Sequence, residues 1–519
     1  MAISTQGRHI ARNTLLVGAS FALAAVAGLG RDMVVAGRFG IGADLDAYYA
    51  AFRLPELLFT IVAGGALATA FIPVLAEFLA RRDLEGAWHL TSAVTNLVVL
   101  VVSALAALAA LGAPHLVRLL IAPGFDAAAQ AETASLMRLV LVSTVIFGVS
   151  AMLTSTLHSF KHFLLPALAP VVYPLGVTAG ALWLAPSMGV RGLAVGAIGG
   201  SLLHLLIQLP GVMRYGFRWR PVLGIGMRPV RRVLALMGPR VLDLGVWHLT
   251  LLATTNLASR LDAGSIAALE WGWGVMQFPE TIIGTAFGLV ALPTLADLAA
   301  QGDIPGLRRT LGETLRAVLA LTVPATLGLI LLGRPLLSLL YQRGAFDAAA
   351  GDAVYAALYW YALGLVGHSC LELVARAFFA QQDTVRPLVI AAVWSAASIG
   401  LGVLLMGVMG HGGLALANSL AISGEVLTLL LVLRRRWRGV GGRGLLAPLA
   451  RVGGATAIMG GVVLTVLALV ERAGLGAFAA VSGGALAGAT TYVAAGYLLG
   501  MQELRWPLQV ILNRRVTSG

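Results

Sequence analysis

Runs of about 20 apolar residues, separated by short polar loops rich in Gly, Pro and Arg, recur along this chain. A bilayer core about 30 Å thick needs about 20 residues of helix at 1.5 Å each, so this pattern predicts spanning helices. A window of about 19 residues places fourteen candidate spans near 13–37, 46–79, 91–112, 136–157, 163–184, 192–213, 233–257, 265–297, 314–332, 351–379, 387–408, 412–433, 452–470 and 475–500. Alternating ten-residue strands are absent from the pattern, which argues against an outer-membrane barrel. The first 28 residues have the layout of a signal peptide. They are read instead as an uncleaved first span, because hydrophobicity resumes at once.

Composition agrees with that pattern. The chain is 59% hydrophobic and 11% charged, with a mean hydropathy of +0.89, whereas soluble domains carry about 25% charged residues. The expected class is an all-α integral membrane protein with about 14 transmembrane helices. A net charge of +13 raises the question of nucleic acid. The basic residues sit in short loops with no aromatic-interleaved basic domain, so no nucleic-acid partner is expected. Charge reports topology instead. Loops on the N-terminal side hold most of the 36 Lys and Arg, in two clusters at 214–232 and 434–451, while the opposite loops hold Arg38, Arg118, Arg191, Arg260, Arg334, Arg343 and Arg472. By the positive-inside rule both termini are expected in the cytoplasm. The clusters read as topology determinants or as patches for lipid headgroups or protein partners. The single cysteine, Cys370, lies inside an apolar run and reads as a small buried hydrophobe.

An internal duplication organises the spans. "LGAPHLVRLLIAPGFDAAA" at 111–129 aligns without gaps to "LGRPLLSLLYQRGAFDAAA" at 332–350, with identity at ten of nineteen positions. Pro166 pairs with Pro387 at the same offset, and "RLPE" at 53–56 answers "QFPE" at 277–280. Each copy holds six spans, an even number, so both enter the membrane in the same direction as a parallel repeat. The expected divisions are an N-terminal lobe at 1–220, a C-terminal lobe at 221–440, and two additional helices with a tail at 441–519. A cleft between two such lobes is where an alternating-access substrate lies. The second span of each lobe is too long for a straight crossing, and Pro55, Pro73, Pro279 and Pro293 are candidate kinks, with "AGGALA" at 63–68 and "WGWG" at 271–274 permitting close approach or unwinding.

The chemistry lies in charges placed in or beside spans. A charge at the bilayer centre costs at least about 2.5–3.5 kcal/mol on insertion scales, so such groups normally face a cavity, a partner or a pathway. Arg31 and Asp32 close span 1, and Asp46 and Arg53 open span 2; a hairpin of the two spans brings all four together. Asp46 and Arg53 are two turns apart and share a face. Two arginines from different helices suit a diphosphate, because each offers a planar, permanently charged fork of donors. The aspartates would hold them in place while the site is empty, and a purely structural salt bridge is the competing reading. Asp243 is a candidate for a coupling cation, Na⁺ or H⁺, and Glu372 with Arg376 reads as a structural i,i+4 pair. Glu270, Glu280 and Glu425 are further acidic positions in spans. The His158 and His162 pair lies in a short loop and reads as surface. No metalloprotease, phosphate-loop, Cys/His metal or nucleophile-elbow motif occurs in the sequence, so no catalysis, metal or cofactor is expected beyond a coupling ion.

With these residues laid out, the sequence resembles the MurJ/MviN family of bacterial lipid II flippases, in the multidrug/oligosaccharidyl-lipid/polysaccharide exporter superfamily. The carriers are "GRDMVVAGRFGIGADLDAYYAAFRLPELL", "AFIPVLAEF", "APGF" at 122–125, "PALAP" at 166–170, "QLP" at 208–210, "MGP" at 237–239, "LPTLA" at 292–296 and "QQDTVRP" at 381–387, in order over 380 residues. The resemblance implies transfer of undecaprenyl-diphosphate-linked peptidoglycan precursor to the outer leaflet of the inner membrane, a V-shaped pair of six-helix lobes, and two extra helices forming a groove for the lipid tail. It places the family's cavity arginine and aspartate on Arg31 and Asp32, the aspartate opening span 2 on Asp46, and a basic position on Arg53. Family charges are absent at Ala25, Phe59, Thr60, Gly64, Trp273, Gly274 and Gln277. A flippase or exporter for another polyprenyl-linked glycan or a drug, and a non-transporting scaffold for cell-wall enzymes, are the alternatives.

Overall fold

In this computed structural model, residues 5–439, 446–501 and 503 are described, without the side chains of 5–19, 21, 63, 65, 66, 238–243 and 446. Contacts divide the chain into two compact units, 1–266 with 343–346, and 267–342 with 347–519. No strand occurs among the described residues.

The first unit runs α1 (Thr5–Phe39), α2 (Ala43–Ala63), α3 (Gly65–Ala80), α4 (Leu84–Leu111), the short α5 (Ala113–Leu116), α6 (Ala127–Ser159), α7 (Leu164–Ala179), the short α8 (Ala185–Met188), α9 (Arg191–Leu206), α10 (Leu209–Arg214) and α11 (Arg228–Ala258). There follow α12 (Ser265–Glu280), α13 (Ala286–Ala300), α14 (Ile304–Tyr341), α15 (Ala348–Phe379), α16 (Val385–Met409), α17 (His411–Arg436), α18 (Leu446–Arg472) and α19 (Ala477–Leu498). Among the described residues, twelve helical stretches, from Ala43–Ala80 to Ala477–Leu498, are long and apolar enough to cross a membrane. Two further runs of the fourteen read from the sequence fall on α1 and α11, of 35 and 31 residues. Large apolar side chains such as Val408, Leu498 and Leu111 are among the most exposed. In a membrane chain that outward face meets lipid, and close packing falls to small residues. Gly176 of α7 lies against Gly200 of α9, and a Cβ on Gly176 would also come within 2.8 Å of the Gly196 carbonyl oxygen.

Both long second spans are interrupted. Pro55 and Pro73 are accommodated inside α2 and α3, and the chain breaks between these helices at Gly64, whose ψ of −164° is extended. A Cβ there would stand 2.6 Å from the Thr60 carbonyl oxygen, so a residue without a side chain allows the break. In the counterpart, α12 passes into α13 through a π-helical turn at Thr281–Thr285, just after Pro279. Such turns absorb an extra residue without ending the helix.

The duplication has a structural signature in caps and turns. Asp126 and Asp347, matched residues of the repeat, cap α6 and α15 by accepting from the amides of Ala129 and Ala350. Asp83 and Asp303 cap α4 and α14 in the same way through Gly86 and Gly306. An aspartate at this position satisfies one of the free amides at a helix start. Left-handed residues also recur: Lys161 and Gln382, both at φ 58°, end α6 and α15, and Gly189 and Gly410, at φ 57° and 56°, precede α9 and α17.

Within the first unit, α3 and α4 bury Phe71, Leu75 and Leu90 together with Val230 and Val233 of α11. In the second, α14, α15 and α17 share a core that includes Leu311, Phe378 and Trp437. The last two helices, α18 and α19, pack on α14 around Met459 and Tyr492, and the Tyr492 hydroxyl donates to the Ala320 carbonyl.

Candidate functional site

The first unit carries four of the five residues singled out from the sequence as described side chains. Arg31 lies eight residues before the end of α1 and Arg53 ten residues into α2. At 1.5 Å per residue both sit about 12–15 Å along the helix from the loop that joins α1 to α2. The sequence placed them together through a hairpin of the two helices. The structure instead lays α1 along α7, and α2 along α6 and α11. Tyr173 of α7 lies within electrostatic reach of both Arg31 and Glu56.

Each of the four has a different environment. Arg31 donates through Nε to Asp32 Oδ1 at 2.8 Å, with Nη2 at 2.7 Å from the same oxygen. The two side chains keep 31% and 25% exposure, so this pair is open on one side. The charge of Arg31 also reaches the hydroxyls of Tyr48 and Tyr49. Arg53 is only 9% exposed; its Nε donates to Thr255 Oγ1 of α11 at 2.8 Å, and Nη1 lies 3.7 Å from Glu56 Oε2. Glu56 itself is 44% exposed. Asp46 is buried at the start of α2, where Oδ2 accepts the Gly264 amide at 2.7 Å. The side chain of Asp243 lies outside the described residues.

Sequence reasoning did not assign Glu56, Tyr173, Thr255 or His248 to this site. Glu56 was legible, because it stands three residues after Arg53 on the same helix face. The other three reach the site through tertiary packing. At Thr60, where the resemblance expects a basic residue, the hydroxyl is 2.9 Å from His248 Nε2. Phe59 packs on Phe147 with ring centroids 5.8 Å apart. Neutral hydrogen-bonded and aromatic contacts thus stand where the family carries charge.

In the second unit Trp273 sets its ring edge-on to His368 at 4.9 Å and to Tyr361 at 5.4 Å. Glu372 and Arg376 form the expected i,i+4 ion pair at 2.7 Å, and the charge of Glu372 reaches Glu280. Among the described residues no group of three or more His, Cys, Asp or Glu side chains is arranged to hold a metal.

The chemistry open to the first unit is anion exchange at Arg31. A partly exposed guanidinium held by a single neighbouring carboxylate can turn its fork of donors to an incoming phosphate, since both acceptors are anionic oxygens of similar spacing. Arg53, held by a threonine and a glutamate, is nearly closed off.

The chain is similar to "Lipid II flippase MurJ" of Burkholderia cenocepacia, with 31% identity over 83% of this chain and 85% of that protein. It is similar also to "Probable lipid II flippase MurJ" of Thermotoga maritima, with 32% identity over 78% and 82%. Among solved structures it shares the fold of "Lipid II flippase MurJ, inward closed conformation", with a TM-score of 0.77 at 22% identity over 93% of this chain and 98% of that one. An inward-facing multidrug resistance MATE family transporter of the MOP superfamily superposes at a TM-score of 0.69 and 14% identity, covering 80% of this chain and 94% of the other. The sequence profile of the family "Lipid II flippase MurJ" matches residues 35–482, well over half the chain, and the protein is therefore a member of that family.

Proposed function

We infer that this chain moves lipid II, the undecaprenyl-diphosphate-linked precursor of peptidoglycan, from the cytoplasmic to the outer leaflet of the bacterial inner membrane. Arg31 binds the diphosphate and Asp32 holds the guanidinium between cycles. The observation that carries this reading is the partly exposed Arg31–Asp32 pair, eight residues before the end of α1, in a chain of the MurJ family. An ionic pair there has no reason to stay open toward lipid, so its open side belongs to a wet crevice. The polar head crosses through that crevice while the isoprenoid tail stays in lipid, which avoids burying unpaired polar groups in hydrocarbon.

Alternating access requires two halves. The reading takes residues 1–220 and 221–440 as lobes, 441–519 as an appendage, fourteen spans in all including α1 and α11, and both termini in the cytoplasm. The duplicated aspartate caps support the two halves, and the arginines of the 214–232 and 434–451 segments support the orientation. The neutral contacts at Thr60 and Phe59 favour as a second reading a glycan on the same polyprenyl-diphosphate carrier.

Depletion of the protein, followed by measurement of lipid II accessible at the outer surface, tests the function. Accessibility falls on depletion and returns with the wild-type chain but not with Arg31→Ala. Unchanged accessibility on depletion eliminates lipid II as the substrate.

A further inference from the structure

The first unit carries a cavity of about 440 Å³ between the α3–α4 turn and the α6–α7 turn, lined by Arg82 and Lys161 with Leu79, Leu84 and Phe160. No carboxylate lines it. Four stretches long and apolar enough to cross a membrane meet these two turns, so the cavity lies where apolar helix gives way to polar loop. Its floor is firm, because the Phe160 ring stacks on Trp88 and on Tyr215 with centroids 5.2 and 4.5 Å away. Trp and Tyr favour the headgroup level of a bilayer, and Leu84, 49% exposed, gives the rim an apolar edge.

Neither cation has an anion of its own. Among the described residues the side chains of Arg82 and Lys161 form no hydrogen bond or ion pair, and both residues are exposed. The acidic groups around the α3–α4 turn are directed elsewhere. Glu77 pairs with Arg232 at 2.8 Å, Glu85 pairs with Arg220 at 2.7 Å, and Asp83 accepts the Gly86 amide at 2.8 Å.

The duplication shows that the turns themselves do not call for these cations. In the first turn the Arg82 amide returns to the Leu79 carbonyl and the Asp83 amide to Phe78; in the second, Lys161 returns to His158 and His162 to Leu157. Arg82 and Lys161 hold the left-handed position of this motif, both at φ 58°, where glycine is the usual residue because it has no Cβ. The counterpart of Arg82 in the second unit is indeed Gly302, at φ +68° before the capping Asp303. The counterpart of Lys161 is Gln382, and the next residue, Asp383, supplies a carboxylate to Arg386 and Arg436. The first unit thus differs from its copy twice over: a long cation stands at each left-handed position, and His162 stands where the copy has its carboxylate.

We propose that this cavity binds the headgroup of an anionic phospholipid of the surrounding bilayer, with the phosphate between Arg82 and Lys161 and the acyl chains leaving over Leu84. A guanidinium and an ammonium without an internal acceptor both donate to phosphate oxygens and together select a net anion. A basic site at headgroup level also gains from the negative surface of an anionic leaflet. The ligand is a bulk phospholipid and not the transported one, so the site stands or falls apart from the function inferred above. Inorganic phosphate offers the same chemistry from solution.

The test places a thiol on the cavity wall by Leu84→Cys in the full-length chain. Cys370 is buried, and the unsubstituted chain gives its background. In maltoside micelles, which carry no phosphate, the rate of maleimide modification is measured with phosphatidylglycerol, phosphatidylcholine or inorganic phosphate added. Phosphatidylglycerol is expected to slow the reaction severalfold, and Arg82→Gly to raise its half-protecting concentration by roughly tenfold, as for one lost charged hydrogen bond. Glycine suits the left-handed backbone, so the denaturation midpoint of Arg82→Gly is expected to hold or rise, which separates lost binding from lost folding. Arg81→Gln removes a charge from the same turn outside the cavity and is expected to leave protection nearly unchanged. Protection by no added ligand, equal protection by phosphatidylcholine, an equal shift in Arg81→Gln, or protection that survives Arg82→Gly together with Lys161→Gln overturns the site. Protection by inorganic phosphate but not by phosphatidylglycerol overturns the lipid. Phosphatidylglycerol retained by the chain with its own Leu84, read by native mass spectrometry, is expected to fall in the Arg82→Gly, Lys161→Gln variant, and unchanged retention overturns the site as well.

Discussion

Arg53 of α2 donates a 2.8 Å hydrogen bond to Thr255 of α11, a partner 202 residues away in the chain. Both residues are buried. This bond turns a charged side chain into part of the wall of the first unit. Thr255→Val keeps the volume and removes the acceptor, leaving a guanidinium N–H unsatisfied. The expected loss is about 1.5–3 kcal/mol, the usual range for a hydrogen bond to a charged group. Chemical denaturation in detergent measures it, with Thr255→Ser retaining most of the stability. A Thr255→Val midpoint equal to wild type removes the bond from the account.

Arg31 differs because its pair with Asp32 is open. Arg31→Ala is expected to weaken diphosphate-lipid binding by roughly 10–100-fold, from loss of charged hydrogen bonds. Arg31→Lys recovers only part of it, since an ammonium cannot present the planar fork. Retention of the native lipid through purification, read by mass spectrometry, reports both. Full retention in Arg31→Ala contradicts the assigned role.

Asp383 joins three elements, accepting from Arg386 at the start of α16 and standing 3.0 Å from Nη1 of Arg436 at the end of α17. Burial by itself raises its pKa, but hydrogen bonds from the Arg386 side chain and amide, with the charges of Arg386 and Arg436, outweigh that and hold the carboxyl below its ordinary value. A depressed folded-state pKa means that the stabilisation is fully present above the unfolded value of about 3.9 and is lost as pH falls through the folded one. The arginines are 57% and 38% exposed, so the effect is modest. Thermal unfolding between about pH 7 and pH 2.5 is expected to lose stability along the acid limb, and Asp383→Asn to flatten that limb. An acid limb unchanged by the substitution excludes Asp383 as its source.

Gly176 and Gly199 form a matched pair of probes. A Cβ on Gly176 would strike the backbone of Gly200, whereas nothing lies within 4 Å of a Cβ on Gly199. Gly176→Ala is expected to force α7 and α9 apart at a cost of about 1–3 kcal/mol. Gly199→Ala is neutral, or stabilising by up to about 1 kcal/mol from helix propensity. Equal midpoints for the two variants contradict the close helix contact.

Hydrophobic run length, the repeated "FDAAA" segments and the charges of "GRDMVVAGRFGIGADLDAYYAAFRLPE" are local properties of the chain. They determined the helical membrane class, the duplication and the positions of Arg31, Asp32, Asp46 and Arg53. Aspartate caps such as Asp126 and Asp347 act within one turn, so their structural effect was also legible. Only the tertiary structure decided which charges are spent and which stay open. Arg53 and Asp46 are consumed by Thr255 and Gly264, more than 200 residues away, while Arg31 pairs with the next residue in the chain and keeps an open side. It also placed a break in the second span at Gly64, where the Thr60 carbonyl leaves room only for a residue without a Cβ. Periodicity and composition act over a few turns, but the satisfaction of a buried polar group depends on whatever helix packs against it.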